Sequence, residues 1–177
     1  GGFGADNTSA LSFGGESASA DNEVKTESWN GSSWTEVNDM NTGRSHLGGT
    51  GIITAGIAIG GRVTPPNALQ SVVEQWNGTN WTEVGDLNTA RYSGFYSQFN
   101  YADSFIGGGQ VPSYVTNTEI WDGISWTETS DMNTARGAGS SAGTQTSGLA
   151  SSGYSGTYQS AVEEWSGSSN TIKVLTD

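Results

Sequence analysis

The chain has no cysteine and a single histidine, His46. Disulfides and thiolate metal centres are therefore excluded, and cysteine chemistry gives no indication of the redox compartment. Basic residues are scarce as well: six stand against eighteen acids, for a net charge of −12. Three of the six (Arg44, Arg91 and Arg136) recur at equivalent positions. Too few cations remain for a phosphate-binding patch, so nucleic acid is excluded as a partner. The acidity also discourages contact with anionic membranes. The longest apolar stretch, residues 51–60, is too short and too rich in glycine to cross a bilayer, so membrane insertion is not expected.

Glycine is plentiful, at 27 residues, and so are large rings: seven Trp, six Tyr and five Phe. Such rings bury much area per residue. They bring a core within reach of a chain that is 33% apolar with mean hydropathy −0.44. The 177 residues suit one domain, 1–177. The aromatics are also periodic. Trp29-Asn-Gly-Ser-Ser-Trp34-Thr-Glu-Val returns as Trp76-Asn-Gly-Thr-Asn-Trp81-Thr-Glu-Val and as Trp121-Asp-Gly-Ile-Ser-Trp126-Thr-Glu-Thr. A fourth copy, Trp165-Ser-Gly-Ser-Ser, has Asn170 in place of the second tryptophan. The leading tryptophans stand 47, 45 and 44 residues apart. Self-similarity at this period marks a repeat architecture, and it argues against the disorder that a Gly/Ser-rich acidic composition otherwise suggests.

Boundaries placed after each repeat arginine give units 1–44, 45–91, 92–136 and 137–177. Each unit opens with small residues alternating with apolar ones. A glycine pair or triplet follows: Gly14-Gly15, Gly60-Gly61, Gly107-Gly108-Gly109 and, degenerate, Ser152-Gly153. After a variable loop comes a strand ending in Trp, a tight turn, a second Trp-led strand, and a linker such as Asp86-Leu-Asn-Thr-Ala-Arg91. Asn-Gly between strand-like runs predicts a type I′ hairpin turn at Asn30-Gly31 and Asn77-Gly78. Asp122-Gly123 fits nearly as well, and Ser166-Gly167 is a weak copy. Sequons for glycosylation fall at Asn7, Asn30, Asn77 and Asn80, but turn chemistry alone explains the Asn-Gly pairs. Two more strands are expected in the first half of each unit, turning at Asp6-Asn7, Thr54-Ala-Gly56, Tyr101-Ala-Asp103 and Gln145-Thr146. No 3.6-residue apolar period recurs, so no helix is predicted. Small inner strands and tryptophan-bearing outer strands match the taper of sheets radiating from an axis. The expectation is an all-β β-propeller of four visible four-stranded antiparallel blades, as a small closed ring or part of a larger one.

Gly60-Gly61, Trp76, Trp81 and Leu87-Asn-Thr-Ala-Arg91, with their counterparts in units one and three, resemble the kelch repeat. The resemblance spans the whole chain and is eroded in the fourth unit. The wording Glu-x-Trp-Asn-Gly-x-x-Trp-Thr-Glu-Val is also similar to kelch-like repeat proteins of marine bacteriophage and metagenomic sequences. That likeness implies a structural or tail-fibre component of a virion. Kelch rings generally have five to seven blades and commonly close by pairing strands from both termini. This chain begins with a first strand and ends with a last one, residues 170–175, so closure is expected to rest on packing between blades one and four. It opens in mid-repeat without Met, which fits a processed chain or a longer parent chain. A homo-oligomer is another way to complete a ring. The rewritten ending reads as a terminal cap.

Glu27, Glu74, Glu119 and Glu163 each precede a Trp by two residues and share its face of the strand. One reading is a carboxylate ring for a cation. The favoured reading pairs each acid with a repeat arginine or a backbone group between blades, because an active site seldom needs four copies. Glu36, Glu83 and Glu128 are expected to be solvated. Asp39, Asp86 and Asp131 are expected to turn the linker by bonding their own backbone. No calcium-loop pattern occurs, so no metal is expected. His46 has no counterpart in the other units and no marked catalytic partner, and is expected in a loop. The Cys-linked Tyr and paired His ligands of the copper oxidase built on a kelch-type propeller are missing. So are the arginine triad and Ser-x-Asp-x-Gly-x-Thr-Trp box of sialidases. No catalytic residue or cofactor is expected, and the chain is read as a non-enzyme.

The loops after the glycine pairs, residues 16–22, 62–70, 110–116 and 154–160, differ in every unit. On a propeller they crowd one face around the axis. They carry Arg62, Tyr114, Tyr154 and Tyr158, with Pro65, Pro66 and Pro112. Tyrosine among small polar residues is contact chemistry for sugars or protein surfaces, so these four are the candidate ligand-binding residues. The run Tyr92, Phe95, Tyr96, Phe99, Tyr101 is unique to unit three and is expected mainly to pack inner strands, with any exposed share a candidate binding or subunit patch. The expected function is a non-enzymatic structural or adhesive module of a virion or extracellular assembly that presents its loops to a glycan or protein. The alternative is an intracellular kelch-type scaffold that docks a partner protein.

Overall fold

A computed structural model of the protein describes residues 1–18, 22–98, 100–166 and 170–173. Blade one holds β1 (Gly2–Asp6), β2 (Ser9–Glu16), β3 (Asn22–Trp29) and β4 (Trp34–Val37). Blade two begins with β5 (Gly48–Ile52) and β6 (Ala55–Ile59). A two-stranded ribbon, β7 (Arg62–Val63) and β8 (Ala68–Leu69), then precedes β9 (Val73–Trp76) and β10 (Trp81–Glu83). Blade three repeats the plan with β11 (Phe95–Tyr96) and β12 (Phe105–Gly107), the ribbon β13 (Gln110–Val111) and β14 (Ser113–Tyr114), then β15 (Thr118–Trp121) and β16 (Trp126–Glu128). Blade four holds β17 (Ser140–Thr144), β18 (Ser147–Ser151), β19 (Val162–Trp165) and β20 (Asn170–Lys173). Each blade is an antiparallel four-stranded sheet in simple up-and-down order, and the four are arranged as a β-propeller. A single 3-10 turn, Tyr101–Asp103, links β11 to β12, with Asn100 Oδ1 accepting from Ala102 N.

The outer hairpins keep the Trp29↔Trp34, Trp76↔Trp81 and Trp121↔Trp126 register, and Trp165↔Asn170 holds the same place in blade four. Their turns differ from the type I′ expectation. Only the glycines, Gly31, Gly78 and Gly123, have positive φ. Each preceding residue instead stays outside that region and caps the loop through its side chain. Asn30 Oδ1 accepts from Ser32 N and Ser33 N, Asn77 Oδ1 from Thr79 N and Asn80 N, and Asp122 Oδ1 from Ile124 N and Ser125 N. An Asx-type turn explains why Asp replaces Asn freely. The fourth turn, at Ser166-Gly167, lies partly outside the described residues. Two inner turns sit one residue from the expected place, at residues 7–8 and 53–54, while 101–103 and 145–146 hold.

Crowding near the axis accounts for the small residues. A Cβ on Gly48 would strike the Tyr96 ring of the next blade. The glycine pairs have a different cause. Gly14, Gly60 and Gly108 adopt φ of 57°, 58° and 58°. A Cβ there would meet the carbonyl of Arg44, Arg91 or Arg136. The second glycine donates to that same oxygen, at 3.0, 2.9 and 2.9 Å for Gly15, Gly61 and Gly109. In blade four Ser152 takes the first glycine's position, at φ 57°.

The core is a set of wedges between blades. Leu11, Phe13, Met40, Trp76 and Trp81 fill the first, and Ile57, Ile59, Leu87, Trp121 and Trp126 the second. The Trp81 ring lies 5.0 Å from Phe13, and its Nε1 donates to Thr26 Oγ1 at 3.0 Å. The third wedge is thin, with Phe95, Met132 and Ala150 buried together. It lies beside the blade whose second tryptophan position is Asn170.

Buried ion pairs stitch consecutive blades. Arg44 reaches into blade two, donating from Nη1 to Glu74 Oε1 at 2.5 Å and from Nε to Gly60 O at 2.9 Å. Arg136 repeats this with Glu163 and Ser152 O. Arg91 lies 2.9 Å from Glu119, but its three guanidinium nitrogens make no hydrogen bond of acceptable direction. Burial pulls the Arg44 and Arg91 guanidinium groups down from their usual values, opposed by Glu74 and Glu119 respectively. The same carboxylates cap the linkers, as Glu74 does for Asn41 N at 2.7 Å and Thr42 N at 3.2 Å. The paired reading of these acids therefore holds for Glu74, Glu119 and Glu163, whereas Glu27 is exposed. The linker aspartates depart from expectation. Asp39 accepts from Thr26 N, Asp86 from Ser71 Oγ and Asp131 from Thr116 Oγ1, so they tie the linker to the third strand or to the residues just before it.

Around the axis, His46, Ser93 and Ala138 sit two residues after the arginines with φ of 54°, 54° and 56°. Ser93 N donates to His46 O at 3.1 Å and Ala138 N to Ser93 O at 2.8 Å. This backbone chain offsets the left-handed strain, about 1–2 kcal/mol at each site. Strand packing joins blade one to two, two to three and three to four. Among the described residues no comparable packing joins blade four to blade one, contrary to the expected closure.

Candidate functional site

The variable loops are rooted on one face beside the axis. The residue after each repeat arginine pairs through its backbone with the residue after the glycine pair: Ser45 with Arg62, Tyr92 with Gln110, and Gly137 with Tyr154. These short bridges set the direction in which each loop leaves the blade. Beyond them the loops fold back as small hairpins, β7–β8, β13–β14 and the Tyr154↔Tyr158 bridge. Common roots with different tips let the scaffold repeat while the surface varies. Residues 19–21 of the first loop lie outside the described residues.

Two aromatic groups occupy this face. Tyr114 meets Tyr154 edge-on at 5.9 Å between ring centroids, and Tyr154 meets Tyr158 at 5.3 Å. They border an open hollow of about 540 Å³ with Ala138, Ser152 and Gln159. Tyr158 is 91% exposed and Tyr154 36%, so their rings present apolar area to solvent. The second group centres on Tyr92. Arg62 lies over its ring at 5.1 Å, His46 stands edge-on at 5.9 Å, and its hydroxyl donates to Gln110 at 2.7 Å. A smaller hollow of about 260 Å³ adjoins it, lined by Asn67, Leu69, Tyr92, Gln110 and Pro112. The Tyr114 phenol is pushed up by burial and, secondarily, by the phenols of Tyr92 and Tyr154, which places the two groups within electrostatic reach.

Sequence reasoning thus finds a cluster of three in Tyr114, Tyr154 and Tyr158. Arg62 is brought elsewhere, to Tyr92 and to within 3.9 Å of Glu16. Of the aromatic run in unit three, Tyr92 is the member that faces the loops rather than packing an inner strand. The missed signal was its place directly after Arg91, where the chain pairs with the loop root. Phe95 and Tyr96 do pack inside, and Phe99 lies outside the described residues. Burial, then the Arg62 charge, pulls the His46 pKa below its ordinary value. Glu16 opposes that shift. Among the described residues no three His, Asp or Glu gather as a metal site, and no helix is long and apolar enough to cross a membrane.

The arrangement offers flat rings, amide and hydroxyl hydrogen-bonding groups and one cation on a concave surface. That is equipment for recognition. Four radial sheets with such a loop face define the class, a β-propeller. No protein-family model and no curated protein matches the chain.

Proposed function

We propose that this chain is a non-enzymatic, kelch-like binding module of a virion or extracellular assembly, and that its loop face docks a glycan or a protein surface. The observation that carries the reading is the Tyr114–Tyr154–Tyr158 cluster over its hollow, with Tyr154 and Tyr158 exposed. Leaving rings exposed forgoes about 1.5–3 kcal/mol of burial per large side chain, a cost that a binding partner recovers. Tyrosine presents a rigid apolar plate with a polar tip and little entropy to lose, which suits the faces of sugar rings or a polar protein surface. Propellers commonly serve as binding scaffolds, and the non-repeating chemistry of this chain lies on the one face. The phage-like wording of the repeat favours a tail-fibre or other surface component.

The experiment is a glycan array together with whole-cell binding, using the labelled full chain. Binding is expected to fall at least tenfold in the Tyr114→Ala/Tyr154→Ala/Tyr158→Ala variant. It is expected to survive in Ile124→Ala, a residue exposed on an outer hairpin. Absence of any surface binding, together with stoichiometric capture of one cytosolic protein, would replace this reading with the intracellular scaffold. Turnover of a hydrolase or oxidase substrate by the purified chain would overturn both.

A further inference from the structure

We infer that the open side of blade one is a docking surface for a further blade of this repeat type, reached through that blade's own Asn-Thr-Ala/Gly-Arg linker. The inference is independent of the loop face. Three joints in the molecule show what such a surface receives. In each, a glutamate accepts the backbone N–H groups of the linker Asn and Thr: Glu74 from Asn41 and Thr42, Glu119 from Asn88 and Thr89, Glu163 from Asn133 and Thr134. The linker arginine then pairs with the same carboxylate, and both side chains are buried.

Glu27 occupies the equivalent register place, opposite Glu36 as Glu74 is opposite Glu83 and Glu119 opposite Glu128. It is exposed, and among the described residues it has no hydrogen-bond or ion-pair partner. The neighbouring tryptophan shows the same vacancy of contact. Trp34 is 48% exposed, whereas Trp81 and Trp126, its counterparts, are 6% and 5% exposed. Trp81 is covered by Phe13 and Thr26 of the preceding blade, and among the described residues no strand of blade four packs comparably on the blade that carries Trp34. Carboxylate and indole thus form a receiving half-joint, continuous in design with three filled ones.

The missing half is specified by chemistry: two backbone donors, one guanidinium and an apolar blade flank. The linkers ending in Arg44, Arg91 and Arg136 are engaged, since all three arginines are fully buried in joints of their own molecule. The occupant is therefore a blade on a further stretch of polypeptide that brings an unengaged linker.

Two measurements test this. A synthetic peptide with the sequence of residues 131–139 is titrated into the full chain while tryptophan emission is followed, with the Trp34→Phe variant as spectral baseline. The expected result is a saturable blue shift with Kd of about 0.1–1 mM, the affinity of a few charge-assisted hydrogen bonds. It should weaken at least tenfold with Glu27→Gln or with Arg136→Ala in the peptide. Separately, a copy of residues 92–139 is fused ahead of Gly1. The fusion should shield Trp34 from acrylamide quenching, and Glu27→Gln should restore the quenching. An unshielded Trp34 in the fusion overturns the inference, as does binding indifferent to Glu27→Gln. So does a concentration-dependent dimer of the wild-type chain that buries Trp34 without any added linker.

Discussion

Replacing Glu74 by Gln tests the joint between blades one and two with a change of a single atom type. Its carboxylate accepts four donors: Asn41 N at 2.7 Å, Asn41 Nδ2 at 2.8 Å, Thr42 N at 3.2 Å and Arg44 Nη1 at 2.5 Å. A glutamine amide keeps one acceptor oxygen and turns its NH2 toward two of those donors. It also leaves the Arg44 charge, fully buried, without its counter-ion. Breaking a buried pair from one side costs about 3–5 kcal/mol. For a chain of this size that lowers Tm by about 6–20 °C, at 2–4 °C per kcal/mol. Urea titration and thermal melts followed by near-ultraviolet circular dichroism read the change. Glu27→Gln is the internal control: the residue type and register are the same, but the side chain is exposed, and the expected change is within about 0.5 kcal/mol. Glu119→Gln should cost less than Glu74→Gln, because the Arg91 nitrogens already lack well-directed hydrogen bonds. A loss below about 1 kcal/mol for Glu74→Gln, or an equal loss for Glu27→Gln, would refute the argument that these acids hold the blades together.

Other joints give finer tests. Trp81 Nε1 donates to Thr26, but Trp126 Nε1 is buried without a partner, and Val73 holds the place of Thr26 in the blade before it. Val73→Thr is therefore expected to stabilise by about 0.5–1 kcal/mol and Thr26→Val to destabilise by about 1–2 kcal/mol, measured by urea midpoint. Ala138→Gly should raise stability by about 0.5–1 kcal/mol in the same assay, since φ of 56° strains an L side chain. A loss on that substitution would show that the backbone at Ala138 is unstrained.

Much of the architecture was legible in the sequence, because each repeated letter answers a repeated physical demand. The tryptophans fill diverging wedges, and the glycine pairs admit an arginine carbonyl. What failed was local. The Asn-Gly pairs were read through positive φ, whereas the asparagine side chain does the turning. The linker aspartates Asp86 and Asp131 bond across to residues just before the third strand, a contact hidden until the blade is folded. On the candidate face, the tyrosines of loops three and four came together because their roots lie on adjacent blades. Arg62 did not join them, since its guanidinium lies over the Tyr92 ring instead. Tyr92 was masked by aromatic neighbours that do pack inside. The order of strands, first to last, points to closure by packing between blades one and four, but Glu27 and Trp34 stand uncovered.

The central proposal is that repeated residues build the propeller while unrepeated tyrosines bind. It is tested most directly by measuring melting and ligand binding in parallel on two variants, against the best ligand from the glycan array or cell-surface screen. Tyr158→Ala, at a residue 91% exposed, should leave Tm unchanged and weaken binding at least tenfold. Glu74→Gln should lower Tm by about 6–20 °C and leave affinity unchanged below its melting range. Undiminished binding by Tyr158→Ala and by the triple tyrosine variant would contradict the proposal and move the site off the loop face.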